Sequence, residues 1–222
     1  MLGLLLGLQP LATDMYLPSL PAIQAGFMAH VSKAQLTLTA FLLAFGCSQL
    51  VWGPLSDRFG RRPILLIGLS GYVVGALGCA SAQSMQELIS WRALEGASLG
   101  AVVMCARAVV RDLYAPHLGA QVMSKALTGL GVLAFSSPVI GSILASTVGW
   151  RATMVALGCF GAVTLCMMWL RFEESLARPN PQALHPAHLL RTWGQILRHP
   201  TFLAFSATTT CTYADLLLPA TT

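Results

Sequence analysis

The chain has 222 residues, of which 55% are hydrophobic and only 9% are charged, and its formal net charge is +5. Because an average soluble domain carries about 25% charged residues, this composition excludes an ordinary water-soluble protein. The positive charge does not indicate nucleic acid as a partner, since the basic residues are scattered between apolar runs and form no face with interleaved aromatic residues. The composition favours a membrane protein.

Six long apolar runs follow one another from the N-terminus. A helix needs about 20 mostly apolar residues to cross the hydrocarbon core of a bilayer, and each run is long enough. We predict a seventh span from about residue 200 and six earlier ones at residues 2–24, 35–55, 64–84, 87–110, 121–146 and 151–171. The sequence therefore predicts an all-α membrane protein with a six-helix bundle over 1–171, a polar cytoplasmic loop over 172–199 and the start of a seventh helix over 200–222.

Basic residues are unevenly distributed between the two sides of this predicted bundle. The loops on one side contain only Lys33 and Arg151. The segments on the other side contain nine basic residues: Arg58, Arg61, Arg62, Arg111, Lys125, Arg171, Arg178, Arg191 and Arg198. The positive-inside rule places these nine, and with them the N-terminus, in the cytoplasm.

Cysteine and histidine positions argue against disulfides, metal sites and catalysis. The six cysteines all lie within apolar runs, without a CxxC pair or a nearby histidine cluster, so we expect neither a metal nor another cofactor. A membrane-embedded enzyme would need a nucleophile with a base, or a metal cluster, at one depth, and no histidine lies within the six predicted spans. We predict that the protein is not an enzyme.

An acidic residue lies in the middle of the first predicted span. Asp14, in LATDMYLPSLPAI, is costly at bilayer depth unless it faces a cavity or a partner, so it is a candidate proton or substrate site. Pro18 has no N–H to donate to the Asp14 carbonyl, and we predict that the helix is loosened there. The alternative is that the span is shifted and that Asp14 lies in the headgroup zone.

The fourth predicted span carries charge along a seam of small residues. Arg92, Gly96 and Gly100 share one face at helical spacing, and the glycines allow another helix to approach closely. We expect this seam to face a second half of the protein. Glu95 follows Arg92 by three residues, which leaves two interpretations open: Glu95 neutralises Arg92, or the two act directly on protons or substrate.

The fifth predicted span contains a proline among small residues, in LAFSSPVIGS. Pro138 frees the carbonyl of Ala134, and Gly141 permits tight packing. A packing kink explains this pattern without a ligand.

The loop between the second and third predicted spans, GPLSDRFGRRP, concentrates charge between two uncharged runs. It resembles the signature loop of the major facilitator superfamily, G-x-L-a-D-r-x-G-r-k, through Gly53, Leu55, Asp57, Arg58, Gly60, Arg61 and Arg62. LISWRALEGASLGA resembles the fourth-helix motif of that family at Arg92 and Gly96. LATDMYLPSLPAI and ARAVVRDLY resemble the drug/proton antiporters of the bicyclomycin and chloramphenicol resistance type. The fifth-helix antiporter motif, g-x-x-x-G-P-x-x-G-G, is only partly present, because Leu133, Ser137 and Ser142 replace three of its glycines.

This resemblance implies a function for the loop and for the chain. In the family the loop is a cytoplasmic gate, so Asp57 would meet the end of a helix in the second half and favour the outward-facing state. Glycine at Gly53 and Gly60 would let the backbone and a neighbouring helix close up. The resemblance also implies proton-coupled efflux of small amphipathic drugs across the bacterial inner membrane by alternating access. Asp14, Arg92 and Glu95 would form the proton and substrate site.

The resemblance covers only the first half of such a transporter, from Met1 to about residue 205. Full members have two six-helix halves with the site between them, so this chain corresponds to the N-terminal half of a twelve-helix fold. We expect its partners to be the lipid bilayer, a small-molecule drug, protons and a missing C-terminal half. The alternative is a truncated, non-transporting remnant, or a half-transporter that needs a partner half.

Overall fold

The computed structural model describes residues 2–176, 180–181, 183–184, 194–195, 198 and 200–217. Every secondary-structure element with described bounds is helical. One of them is a short 3₁₀ helix, Leu17–Ser19, and the others are α1 (Leu2–Asp14), α2 (Leu20–Gly26), α3 (Val31–Phe59), α4 (Arg61–Ser81), α5 (Met85–Leu113), α6 (Pro116–Thr147), α7 (Trp150–Arg171) and α8 (Pro200–Leu217). The chain divides into two compact units, Met1–Pro179 and Asn180–Thr222.

Five helices of the first unit, α3 to α7, are long and apolar enough to cross a membrane. They correspond to the second to sixth predicted spans, with ends that differ by a few residues because polar caps lie outside the apolar runs. His30 precedes α3, and its side chain accepts a hydrogen bond from the N–H of Ser32 in the first turn. Ser84 precedes α5, and its hydroxyl accepts a hydrogen bond from the N–H of Glu87 in the first turn. Such caps satisfy the N–H groups that a helix start leaves unpaired.

The first predicted span is broken, whereas the sequence predicted one helix over 2–24. α1 ends at Asp14, the 3₁₀ helix follows and α2 resumes at Leu20. Pro18 and Pro21 lie in the first turns of the 3₁₀ helix and α2, where a missing N–H is tolerated. Residues 2–26 together cover roughly 37 Å at helical rise, which is enough to cross the hydrocarbon core. Around Pro18 the interruption is a 3₁₀ turn between α1 and α2, and Tyr16, Ser19 and Leu20 keep right-handed helical backbone angles.

α5 is the central helix of the first unit, and it packs mainly against α3 and α4. Most residues in the most apolar stretch of α5 are buried in the protein. Most residues in the corresponding stretches of α3 and α6 are not. α4 contacts α5 through a stripe of glycines that was not predicted from the sequence: Gly68, Gly71, Gly75 and Gly78. A Cβ atom at Gly68, Gly71 or Gly78 would collide with α5, and one at Gly75 would lie only 3.0 Å from the backbone of Glu95. Close approach of this kind is what holds helices together in lipid, where no hydrophobic force drives their association.

The seam of α5 predicted to face a second half packs instead against α3 of the same half. A Cβ at Gly96 would collide with the carbonyl of Phe41, and a Cβ at Gly100 would lie 2.9 Å from the carbonyl oxygen of Phe45. The expectation for the direction of this seam is therefore wrong. The two glycines leave a groove on α5 that can receive the backbone of another helix. Within this bundle the groove is occupied by α3.

Substitution of Gly96 by alanine is expected to destabilise the bundle by about 1–3 kcal/mol, because the added methyl group must displace the backbone of Phe41. Gly129 is the matched control, since no atom lies within 4 Å of a Cβ built there. Gly129→Ala is expected to be neutral or slightly stabilising, because alanine favours helix more than glycine does. Thermal unfolding of the purified variants in detergent measures both effects. Equal unfolding temperatures would contradict the close α3–α5 packing.

The second unit, described by itself, contains α8, which begins at Pro200 as predicted for the seventh helix. Most of the predicted loop 172–199 and the final residues 218–222 lie outside the described residues. The domain boundaries proposed for this region remain predictions.

Candidate functional site

A buried ion pair lies at the centre of the first unit. Nη1 of Arg92 donates to Oε2 of Glu95 at 2.9 Å, and both side chains are 0% exposed. Because residues three apart lie on one face of a helix, α5 alone positions both groups. Each charge compensates the other in a place that water does not reach, so the geometry supports the interpretation in which Glu95 neutralises Arg92.

Arg92 also reaches from α5 to the break in the first membrane segment. Its Nη2 donates to the carbonyl of Ala12 at 3.1 Å. Its guanidinium carbon lies 4.0 Å from the centre of the Tyr16 ring and 4.5 Å from that of Phe41. The carbonyls in the last turn of a helix lack intrahelical donors and carry partial negative charge, which favours a cation there. Arg92 thus connects the end of α1 with α3 and α5.

Asp14 is the last residue of α1 and is half-buried. Its Oδ1 accepts a hydrogen bond from the hydroxyl of Thr13 at 2.9 Å. The ion pairs of the described residues do not include one between Asp14 and Arg92, although Arg92 binds the carbonyl two residues before Asp14. A change in the protonation of Asp14 therefore does not require the Arg92–Glu95 pair to break.

Glu95 contacts α4 as well as Arg92. The thiol of Cys79 donates to Oε2 of Glu95 at 3.7 Å, and Gly75 allows the backbone of Glu95 to approach closely. The other oxygen, Oε1, has no hydrogen-bond partner among the described residues. With so few partners for its carboxylate, Glu95 depends on Arg92 for compensation of its charge.

Of the two residues predicted to shape the fifth span, Gly141 packs against the segment that follows α1, whereas Pro138 is exposed. The Ala134 carbonyl that Pro138 leaves free accepts a hydrogen bond from the Ser137 hydroxyl at 3.1 Å, and α6 continues through the proline. A side chain at Gly141 would collide with the carbonyl of Met15. An apolar cavity of about 260 Å³ lies between α1, α6 and α7, lined by Leu11, Met15, Leu133, Ser136, Ile140, Ala156, Leu157 and Phe160.

The charged segment between α3 and α4 forms a network around Arg61. Arg61 is only 2% exposed, and it pairs with Asp57 at 2.6 Å and with Asp112 at 2.9 Å. It also donates to the hydroxyl of Ser56. Asp57 remains 43% exposed, so it retains a surface for a further partner. Asp112 was not predicted as a site residue, because an acid at the end of an apolar run resembles an ordinary loop residue.

The other residues of this segment have different surroundings. Gly60 has a φ of +102°, in the region that favours glycine. No described atom lies within 4 Å of a Cβ built at Gly53, and a Cβ at Gly60 would meet the side chains of Glu174 and Pro63. The approach of a neighbouring helix at these two glycines remains a prediction. Leu55 packs against the apolar core, and the guanidinium carbon of Arg58 lies 5.6 Å from the centre of the Phe59 ring.

Glu174 is a second residue of the network that sequence analysis missed. Its carboxylate accepts hydrogen bonds from the backbone N–H groups of Arg61 at 2.9 Å and Arg62 at 3.0 Å. The positions of Glu174 and Arg61 are 113 residues apart, so no local pattern marks the contact. A cleft of about 470 Å³ lies beside the network, lined by Gln49, Gly53, Asp57, Arg61, Met104, Arg107, Ala108 and Arg111.

The part of the chain that the structure describes shows no metal-binding site. There, no group of three or more histidine, cysteine, aspartate or glutamate side chains is placed to hold a metal ion. The chemistry that these residues offer is the binding and release of protons at carboxylates and the exchange of ion pairs.

Comparison with known proteins decides the family, because the sequence profile of the Major Facilitator Superfamily matches residues 2–222. The chain belongs to the Major Facilitator Superfamily. It is 34% identical over 192 residues to a chloramphenicol resistance protein of Pseudomonas aeruginosa. The aligned region covers 84% of this chain and 46% of that protein. The chain is 30% identical over 186 residues to multidrug resistance protein D of Escherichia coli, or 83% of this chain and 47% of that protein. The chain thus spans about half the length of these curated facilitator relatives.

Solved facilitator structures have the same fold over half of their length. The human organic anion transporter MFSD10 matches 85% of this chain and 50% of its own with a TM-score of 0.65 and 24% identity. The proton:xylose symporter XylE matches 89% of this chain and 51% of its own with a TM-score of 0.60 and 17% identity. Both the family and the fold predicted from the sequence, a six-helix half of a larger transporter fold, are confirmed. The chain is a multi-pass membrane protein of this family.

Proposed function

We propose that this chain is the N-terminal half of a proton-driven exporter of small amphipathic drugs in the bacterial inner membrane. Transporters of this fold have two six-helix halves and a site between them near the midplane, which opens to one side at a time. The relatives named for chloramphenicol and multidrug resistance support drugs as the substrate class. The specific drug depends on the shape of a cavity to which both halves contribute.

The observation that carries this proposal is the position of Asp14. This half-buried carboxylate lies at the broken end of α1, about halfway along residues 2–26. Broken helices expose backbone groups where a transporter binds ions and substrates, and a carboxylate at that depth is a natural proton carrier. In the proposed cycle, Asp14 holds a proton in one state and releases it in the other, while the Arg92–Glu95 pair holds the break in position.

The Arg61 network is the proposed cytoplasmic gate. Asp57 is partly exposed beside a cleft that contains arginines, so it can bind the end of a helix from the second half when the cytoplasmic side closes. The gate opens when that contact separates. In the proposed cycle the bond of Arg61 to Asp112 is kept in both states.

The orientation of the bundle is tested with single reporter cysteines in an otherwise cysteine-free chain. We expect position 33 to react from outside intact cells with an impermeant thiol reagent, and position 111 to react only after the membrane is opened. Both native side chains, Lys33 and Arg111, are exposed, so the substitutions do not disturb the core. Labelling of 111 and protection of 33 in intact cells would reverse the proposed topology.

The requirement for a second half is tested by drug accumulation in a pump-deficient bacterium. We expect residues 1–222 alone to leave accumulation unchanged, because alternating access needs two halves that rock around one site. Co-expression with the C-terminal half of a full-length relative is expected to lower accumulation in a way that a protonophore abolishes. If residues 1–222 alone lower accumulation, two copies of this chain form the pump. If the pair fails although both halves are inserted and associated, the exporter proposal is wrong.

A further inference from the structure

The start of α4 is held by a residue that follows the last helix of the bundle. One oxygen of the Glu174 carboxylate accepts from the backbone N–H of Arg61 at 2.9 Å, and the other accepts from that of Arg62 at 3.0 Å. The same carboxylate accepts from the N–H of Leu176 at 3.0 Å, which fixes the local fold of the segment after α7.

The carboxylate supplies a cap that the local sequence lacks. Gly60 precedes α4 and has no side chain with which to cap it, so the first N–H groups need another acceptor. Negative charge is favourable at the start of a helix, and two charge-assisted bonds to adjacent N–H groups orient the acceptor. A Cβ at Gly60 would lie against this carboxylate, so glycine also leaves it room.

A second hydrogen bond runs between the same two segments. The guanidinium of Arg62 donates through Nη2 to the carbonyl of Trp169 at 3.0 Å, near the end of α7. Backbone groups of α4 are thus held by the segment after α7, and a side chain of α4 is held by α7 itself. The two contacts make the start of α4 and the end of α7 one structural unit.

Arg61 links this unit to the gate. Its backbone N–H is bound by Glu174, while its side chain binds Asp57 and Asp112. A displacement of the backbone at Arg61 therefore displaces the group that orients Asp57.

We propose that Glu174 is a positioning residue for the cytoplasmic gate, through which the chain leaving the sixth membrane helix controls the placement of Asp57. The inference rests on the gate assigned under the proposed function. Loss of the Glu174 contact is expected to loosen the start of α4, to weaken the closed gate and to increase the time that the cytoplasmic side is open.

The test compares Glu174→Gln with Glu173→Gln in residues 1–222 co-expressed with the C-terminal half of a relative. Glutamine keeps one acceptor oxygen but turns an amide N–H₂ toward the second N–H, so it loses the charge and one bond. Glu173 is the adjacent exposed acid, and among the described residues it makes no hydrogen bond or ion pair to α4, so it controls for lost charge.

Two measurements distinguish a cap from a gate residue. Hydrogen exchange at the amides of Arg61 and Arg62 is expected to accelerate about five- to tenfold in Glu174→Gln, with α5 unchanged as evidence of an intact fold. Thiol labelling from the cytoplasmic side, at a reporter cysteine replacing Gln49 in the cleft, is expected to accelerate as well. Glu173→Gln is expected to change neither rate.

Equal behaviour of the two variants would overturn the inference, and so would faster exchange without faster labelling, since Glu174 would then only cap the helix. Neither measurement uses a drug or a proton gradient. If the parent pair fails to export drugs while the labelling response is present, the proposed function fails and the positioning role of Glu174 stands.

Discussion

Replacement of Asp14 by asparagine in the paired transporter is expected to abolish drug-dependent proton release. Asparagine has nearly the same size and still accepts the hydrogen bond from Thr13, but it cannot exchange a proton. Insertion, folding and association with the second half are therefore expected to be preserved. The measurement is drug-induced proton release from detergent-solubilised protein, followed with a pH indicator.

Glu173→Gln serves as the control, because it removes an exposed acid outside the proposed site. Its proton release is expected to equal that of the parent. Normal release from Asp14→Asn would remove Asp14 from the mechanism. Loss of release together with loss of insertion would assign Asp14 a structural role instead.

Removal of either partner of the Arg92–Glu95 pair is expected to cost about 3–5 kcal/mol of stability, because the remaining charge stays buried without compensation. Arg92→Met leaves Glu95 unpaired, and Glu95→Leu leaves Arg92 unpaired. The double variant is expected to lose less than the sum of the two single losses, since it buries no lone charge. Thermal unfolding in detergent gives the coupling between the two positions.

Arg111→Met provides the matched control for loss of an arginine from the same helix. Arg111 lies 3.9 Å from Asp112 and its side chain is 73% exposed, so it is expected to contribute at most about 1 kcal/mol. Losses at Arg92 and Glu95 that simply add would show that the buried pair is not coupled. Arg92 would then act mainly through the Ala12 carbonyl and the two aromatic rings.

Local patterns predicted those parts of the site in which neighbours in sequence are neighbours in space. Arg92 and Glu95 are three residues apart on one helix, and their pairing was one of two interpretations before the structure was known. Pro18 lacks the N–H that would continue α1, so the break at Asp14 was also foreseeable in kind. The extent of the break could not be predicted, because the free-energy cost of a broken helix depends on which donors bind the exposed carbonyls.

Contacts between distant segments had no such signal. The glycines of α5 showed that a helix approaches closely, but not that the helix is α3. Asp112 and Glu174 looked like ordinary acids at the ends of apolar runs, and only the folded bundle places both on Arg61.

The sequence by itself determined the class of the protein, the approximate position of its membrane segments and its family. In a bilayer every backbone polar group must be paired within the segment or bundle, so uncharged runs of sufficient length become helices wherever they occur. The tertiary structure decided which helices pack together, that Arg92 binds a carbonyl near the end of α1, and which acid caps α4. Those outcomes depend on packing between residues far apart in the chain, and helix periodicity carries no information about such pairs.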